Sequence, residues 1–146
     1  MRPRPFLISF LVGGLVFGVG YYVIMQRDPC VETISFQMEP NVVKPEQKFS
    51  AVWTDKTLRA CDGMLNRRFI AQNGVDIWVF PPVHTVDHGL PGEVHRFHTE
   101  WSAPKAAPGA KLAFRKDFKR WGRGNFLQKW LLPMEETQEA EFTMAE

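Results

Sequence analysis

The chain has 146 residues and a mass of 16.8 kDa, room for one domain and an appended segment. With 18 Lys and Arg against 16 Asp and Glu, its net charge of +2 excludes a histone-like or strongly acidic protein. Hydrophobic residues at 45% and aromatics at 13% exclude disorder throughout, and 2 Cys are too few for a disulfide scaffold or a four-Cys zinc site.

Residues 1–5 lead into a run from Phe6 to Met25 with no charged side chain. A helix of these 20 residues, rising about 1.5 Å each, matches a hydrocarbon core of about 30 Å. The run is therefore expected to be a transmembrane helix and signal-anchor. Arg2 and Arg4 precede it, whereas Arg27 and Asp28 cancel each other after it. The positive-inside bias then places the N-terminus in the cytoplasm and the remainder in the periplasm, on a bacterial inner membrane. A cleaved signal peptide competes, with Gly18-Val19-Gly20 offering small residues to a peptidase. Against it, the apolar run continues through Tyr21, Val23, Ile24 and Met25, past the about 7–15 residues of a secretory core. Gly14 and Gly18 stand four apart, a spacing that lets two membrane helices pack closely as a homodimer. Glycine is also simply common in such helices.

Residues 26–31 form a linker, and residues 32–146 the exported domain. Most of the chain's 11 Pro and 11 Gly fall here and punctuate short strands rather than long helices. Glu32 to Met38 is the first strand, with Ile34 and Phe36 on one face. Pro40, Pro45 and Glu46 mark a turn. Phe49, Ala51 and Trp53 alternate as in a half-buried strand. Asp62-Gly63 reads as a turn, and Met64 to Gln72 as a strand carrying Leu65 and Phe69. Asn73-Gly74 is a hairpin signal of the type I′ kind, in which both central residues take φ > 0. Val75, Ile77 and Val79 alternate after it. Pro81, Pro82, Gly89, Pro91 and Gly92 predict a loop, and Val94 to Trp101 another strand. Lys111 to Phe118 carries Leu112, Phe114 and Phe118 at even spacing. Phe114, Phe118 and Trp121 also fit a helix face, but Gly109 and the Trp121-Gly122-Arg123-Gly124 break favour a strand. The Glu-rich end from Pro133 reads as a solvated tail, except that Phe142 predicts a last strand over Ala140 to Met144. About seven strands at this spacing predict an all-β fold, a two-sheet sandwich.

Val43 to Phe49, Trp53, Cys61, Gly63, Arg67 and the Asn73-Gly74 hairpin, with Asn125-Phe126-Leu127-Gln128, Trp130 and Pro133 later, carry a resemblance. The chain resembles small Ig-like β-sandwich proteins borne on one N-terminal membrane helix, often encoded by phages or prophages. The resemblance implies an Ig-like fold, and a host membrane or virion location if the gene is viral. It also implies a cysteine before Asn125. Gly124 stands there instead, leaving Cys61 to find another partner.

Cys30 and Cys61 both fall on the exported side, where thiols are normally bridged. An intramolecular bridge is expected; an intermolecular Cys30 bridge and two buried thiols are the alternatives. His84, His88, His95 and His98, with Asp87 and Glu93, contain the residue types that hold Zn²⁺ or Cu²⁺. Pro81, Pro82, Gly89 and Pro91 deny His84 and His88 a shared helix, and a strand points His95 and His98 to opposite faces. Surface histidines are the expectation, with no metal or other cofactor.

From Lys111 to Lys129 run seven basic residues and one acid, Asp117. Among them Phe118, Arg120, Trp121, Arg123, Phe126, Lys129 and Trp130 form a candidate contact surface for a protein partner. The same composition suits an anionic membrane surface or a nucleic-acid backbone, the latter only in a virion. The plain alternative is a solvated sheet face over core aromatics, neutralised by the acidic end. No nucleophile elbow, zinc-protease or phosphate-binding motif is present. The expected function is a non-enzymatic, membrane-anchored Ig-like module that binds a protein in the envelope or a phage assembly. The alternative is a metal-handling envelope accessory using the His84–His98 region. A lytic or cell-wall enzyme is a third, weaker option.

Overall fold

A computed structural model describes residues 5–25, 27–86 and 89–146, with the side chains of residues 5–7, 24 and 86 outside the description. Helix α1 covers Pro5–Met25. Among the described residues no helix is long and apolar enough to cross a membrane. This corrects the expected transmembrane signal-anchor, and with it the inner-membrane placement and its cytoplasmic and periplasmic sides. Arg2 and Arg4, which carried the orientation, lie outside the described residues.

Apart from one short helix and the connections, the rest of the described chain is β-structure around a two-sheet core. Strands β1 (Val31–Glu39), β3 (Lys48–Thr57) and β7 (Val94–Ser102) form one sheet in the order β1-β3-β7. The other holds β2 (Val42–Val43), β4 (Cys61–Ala71), β5 (Asp76–Val79), β8 (Lys111–Gly122) and β9 (Met134–Met144) in the order β2-β9-β8-β4-β5. Strand β6 (Val83–Val86) also pairs with β4. The all-β sandwich stands, with nine strands among the described residues. The two short additions, β2 and β6, lie where Pro-rich stretches predicted turn and loop.

Long alternations in the sequence correspond to strands with one buried face. Phe49, Ala51 and Trp53 are buried on β3, and Leu65 and Phe69 on β4. Asp62-Gly63 is not a turn but the start of β4, paired with Trp121 and Arg120 of β8. Glycine is needed there because a Cβ would lie 2.8 Å from the Lys119 carbonyl oxygen. At the hairpin, Gly74 takes φ 79° while Asn73 keeps a negative φ. The Gly74 amide donates to the Ala71 carbonyl at 2.9 Å, and Asn73 Oδ1 accepts from the Val75 amide at 3.1 Å. The turn is thus a three-residue loop closed by a left-handed glycine, not type I′. On β1 the register shifts between Thr33 and Ser35. The extra residue, Ile34, is left 57% exposed, and Phe36 faces the core without it.

The core is aromatic. Phe49, Phe69, Phe114 and Phe142 are buried at its centre, with Phe36, Phe80 and Trp101 packed around them. Ring centroids of Trp101 and Phe114 lie 4.6 Å apart, and those of Phe49 and Phe142 5.0 Å. The Glu-rich end is β9, a full partner of β8 rather than a tail.

Candidate binding surface

Strand β8 sorts the basic run by parity. Leu112, Phe114, Lys116, Phe118 and Arg120 face inward, whereas Arg115, Asp117, Lys119 and Trp121 face the other side of the sheet. Phe118, Arg120 and Trp121 are buried. Outside, β9 supplies acids in register: Lys119 Nζ lies 3.1 Å from Glu135, and Arg115 Nη1 3.3 Å from Glu139. Arg123 Nε is 3.8 Å from Asp62. Asp117 takes hydrogen bonds from Arg68 Nη2 at 2.7 Å, Arg115 Nε at 2.9 Å and Thr137 Oγ1 at 2.7 Å. Burial raises its pKa, but the bonds from Thr137 and Arg115 and the charge of Arg68 outweigh this and hold it below the usual carboxylate range. The Asp117 bond in turn raises the pKa of Arg115. Most of the outward basic face is thereby neutralised within the molecule.

Sequence reasoning missed the inward cations. Lys116 is fully buried, its Nζ 4.1 Å from the Phe36 ring centroid and 4.2 Å from that of Trp53. Burial lowers its pKa to about 8, the charge of Asp55 opposing the shift and that of Arg120 adding to it. Arg120 stacks 4.2 Å from the Phe118 centroid and lies 3.5 Å from Glu136. The even spacing from Leu112 to Phe118 was the signal that puts both inside.

Helix α2 (Phe126–Leu131) follows Gly124, which takes φ 75°. Asn125 caps it, its Oδ1 accepting from the Gln128 amide at 3.0 Å. Gln128 is buried, and its Oε1 accepts from the Gly122 amide at 2.7 Å. The Asn125-x-x-Gln128 spacing is the capping signal that finds this helix in the sequence. Asn125 Nδ2 also donates to the Val23 carbonyl of α1 at 2.8 Å. The remaining candidate residues sit here: Phe126 is 67% exposed and Trp130 78%. Lys129 Nζ lies 5.2 Å from the Trp121 ring and 5.9 Å from that of Trp130. Leu131 and Leu132 are also exposed, and so, on α1, are Phe10, Leu15, Phe17 and Tyr22. Gly14 and Gly18 meet open space: a Cβ on either would touch nothing within 4 Å.

Cys30 and Cys61 form an intramolecular disulfide with Cα atoms 6.0 Å apart, as expected. It joins the root of β1 to the first residue of β4, so it ties one sheet to the other. The histidines are scattered. His84 lies on β6 near Trp121, its ring 6.3 Å from the indole. His95 Nε2 is 3.4 Å from Glu93, and His98 Nε2 is 2.9 Å from Ser50 Oγ. His95 pairs with inward-facing Asp55 and His98 with outward-facing Val52, so the two do face opposite ways. Asp87 and His88 lie outside the described residues. Among the described residues no group of three or more His, Cys, Asp or Glu is placed to hold a metal ion.

No protein-family model matches the chain, and no curated protein matches it. Solved structures do. The C-terminal domain of Wzt matches 82% of this chain and 75% of its own length, with a TM-score of 0.51 at 7% identity, a likeness of fold. The alkylpurine DNA glycosylase AlkC of Pseudomonas fluorescens, bound to DNA with an abasic site analog, matches 96% of this chain at 13% identity and TM-score 0.47. The sporulation control protein Spo0M of Bacillus subtilis matches 82% at 13% identity and TM-score 0.42. The chain spans 37% and 51% of these last two proteins.

Proposed function

We propose that the chain is a non-enzymatic Ig-like module that binds a protein partner through the apolar surface of α1 and α2. The observation that carries this is α2 itself, a six-residue helix hydrogen-bonded through its Asn125 cap to Val23 of α1, which presents Phe126, Trp130 and Leu131 to solvent. Contiguous exposed apolar surface marks an interaction site, and tryptophan is enriched among residues that dominate binding energy. Trp121, buried on the outer side of β8, lies under Lys129, which supplies one rim charge, whereas Phe118 and Arg120 face the interior of the sandwich and take no part in the surface. The inward and sheet-face carboxylates support a binding role over catalysis: Asp55 accepts from Thr33 Oγ1 at 2.8 Å, and Asp117 and Glu136 are held by arginines. The resemblance drawn from the sequence favours a component of a phage assembly as the partner.

Capture by crosslinking, with wild type and Trp130→Ala compared side by side, tests the surface. A protein recovered with the wild type and lost with Trp130→Ala supports it, because an exposed side chain can be truncated without unfolding the domain. Equal recovery by both removes α2 from the proposal.

A further inference from the structure

At the end of the sandwich away from α2, the two sheets part between β5 and β7. The register sets the distance: Trp101 pairs with Phe49 near the start of β3, whereas Cys61 pairs with Gly122 at the α2 end. The opening is a cleft of about 500 Å³ floored by Phe69 and walled by Ile77, Trp78, Phe80 and Trp101, with Lys105 at its mouth. That volume falls within the roughly 300–1,000 Å³ of small-molecule sites. The rings form one connected set, with Phe80 5.5 Å from Trp101 and 5.4 Å from Phe69, and Trp78 6.5 Å from Phe80. Such a set offers flat faces and edges to another ring at low cost in side-chain entropy.

Lys105 is the one charged residue among those lining the cleft. No carboxylate lines it, and among the described residues nothing pairs with the Lys105 ammonium group. The Arg67 guanidinium carbon lies 5.6 Å from the Phe80 ring centroid, so a second cation biases the same space. We propose that this cleft is a binding site for a small aromatic carboxylate, its ring among Trp78, Phe80 and Trp101 and its carboxylate on Lys105. The site is independent of the α2 surface and stands or falls separately from it.

2-Naphthoate and its neutral amide, 2-naphthamide, are the probes, read by calorimetry and by the indole N–H resonances of the full chain. The expected result is saturable one-to-one binding of naphthoate with Kd below about 100 µM. The Trp78 and Trp101 signals shift, and the amide binds about threefold to fivefold more weakly, one partly screened charge pair being lost. Lys105→Glu, an exposed change, weakens naphthoate by at least the same factor and leaves the amide unchanged. No saturation by about 1 mM, shifts confined to Trp121 or Trp130, or equal affinity for acid and amide would overturn the site.

Discussion

The ammonium group of Lys116 stands between the rings of Phe36 and Trp53 and makes no hydrogen bond among the described residues. The negative ring faces stabilise its charge, but burial still lowers its pKa from 10.5 to about 8. The unfolded chain keeps that proton up to about pH 10.5, while the folded chain releases it near 8. Between those values the unfolded state binds more protons, so stability rises with pH across that window, by up to about 3 kcal/mol. Urea unfolding from pH 7 to 10.5 reads this directly. Lys116→Met keeps the volume and removes the charge; it should raise stability at pH 7 by about 1–3 kcal/mol and flatten the pH profile. A profile that keeps its slope in Lys116→Met would assign the titration to another group. The inward position of Lys116 was legible, since residue 116 shares the parity of Leu112, Phe114 and Phe118. Its surroundings were not, because Phe36 and Trp53 come from the other sheet.

At the scale of elements, alternation over many residues marks the strands in the sequence, whereas a single dipeptide does not mark a turn. Asp62-Gly63 has turn composition, yet β8 on one side and β6 on the other make it strand. The missing Cβ at residue 63 is used for close approach between neighbouring backbones, not for a left-handed turn. Gly63→Ala should therefore cost about 1–3 kcal/mol, because the 2.8 Å contact is with backbone that cannot rotate away. A shift of the urea midpoint at unchanged slope is the expected signature. Helix α2 is too short to hold by propensity; its Asn125 cap, the buried Gln128 and contact with α1 hold it. Only the first of these leaves a mark in the sequence.

For the molecule as a whole, the disulfide and the aromatic core hold opposite ends of the sandwich. The Cys30–Cys61 bridge closes 31 residues, which in the chain-entropy model contributes about 3–4 kcal/mol. Replacing both cysteines by serine should lower stability by about that amount while the strand signal in circular dichroism persists in water. A loss below about 1 kcal/mol would mean that the hydrogen bonds from Leu58 and Arg59 to the Cys30 carbonyl suffice to hold that end.

The sequence by itself determined the strand periodicity, the sandwich class and the apolar character of residues 6–25, because each depends on residue type and local spacing, whereas the pairing of Cys30 with Cys61 was one of three possibilities until the fold brought them together. Only the tertiary structure decided which basic residues are neutralised, buried or exposed, because that depends on the register of β8 against β4 and β9. It alone brought Trp78, Phe80, Trp101 and Lys105 to one cleft. Those residues come from strands and connections that meet only when the two sheets close over their shared aromatic core, and no spacing along the chain records that meeting.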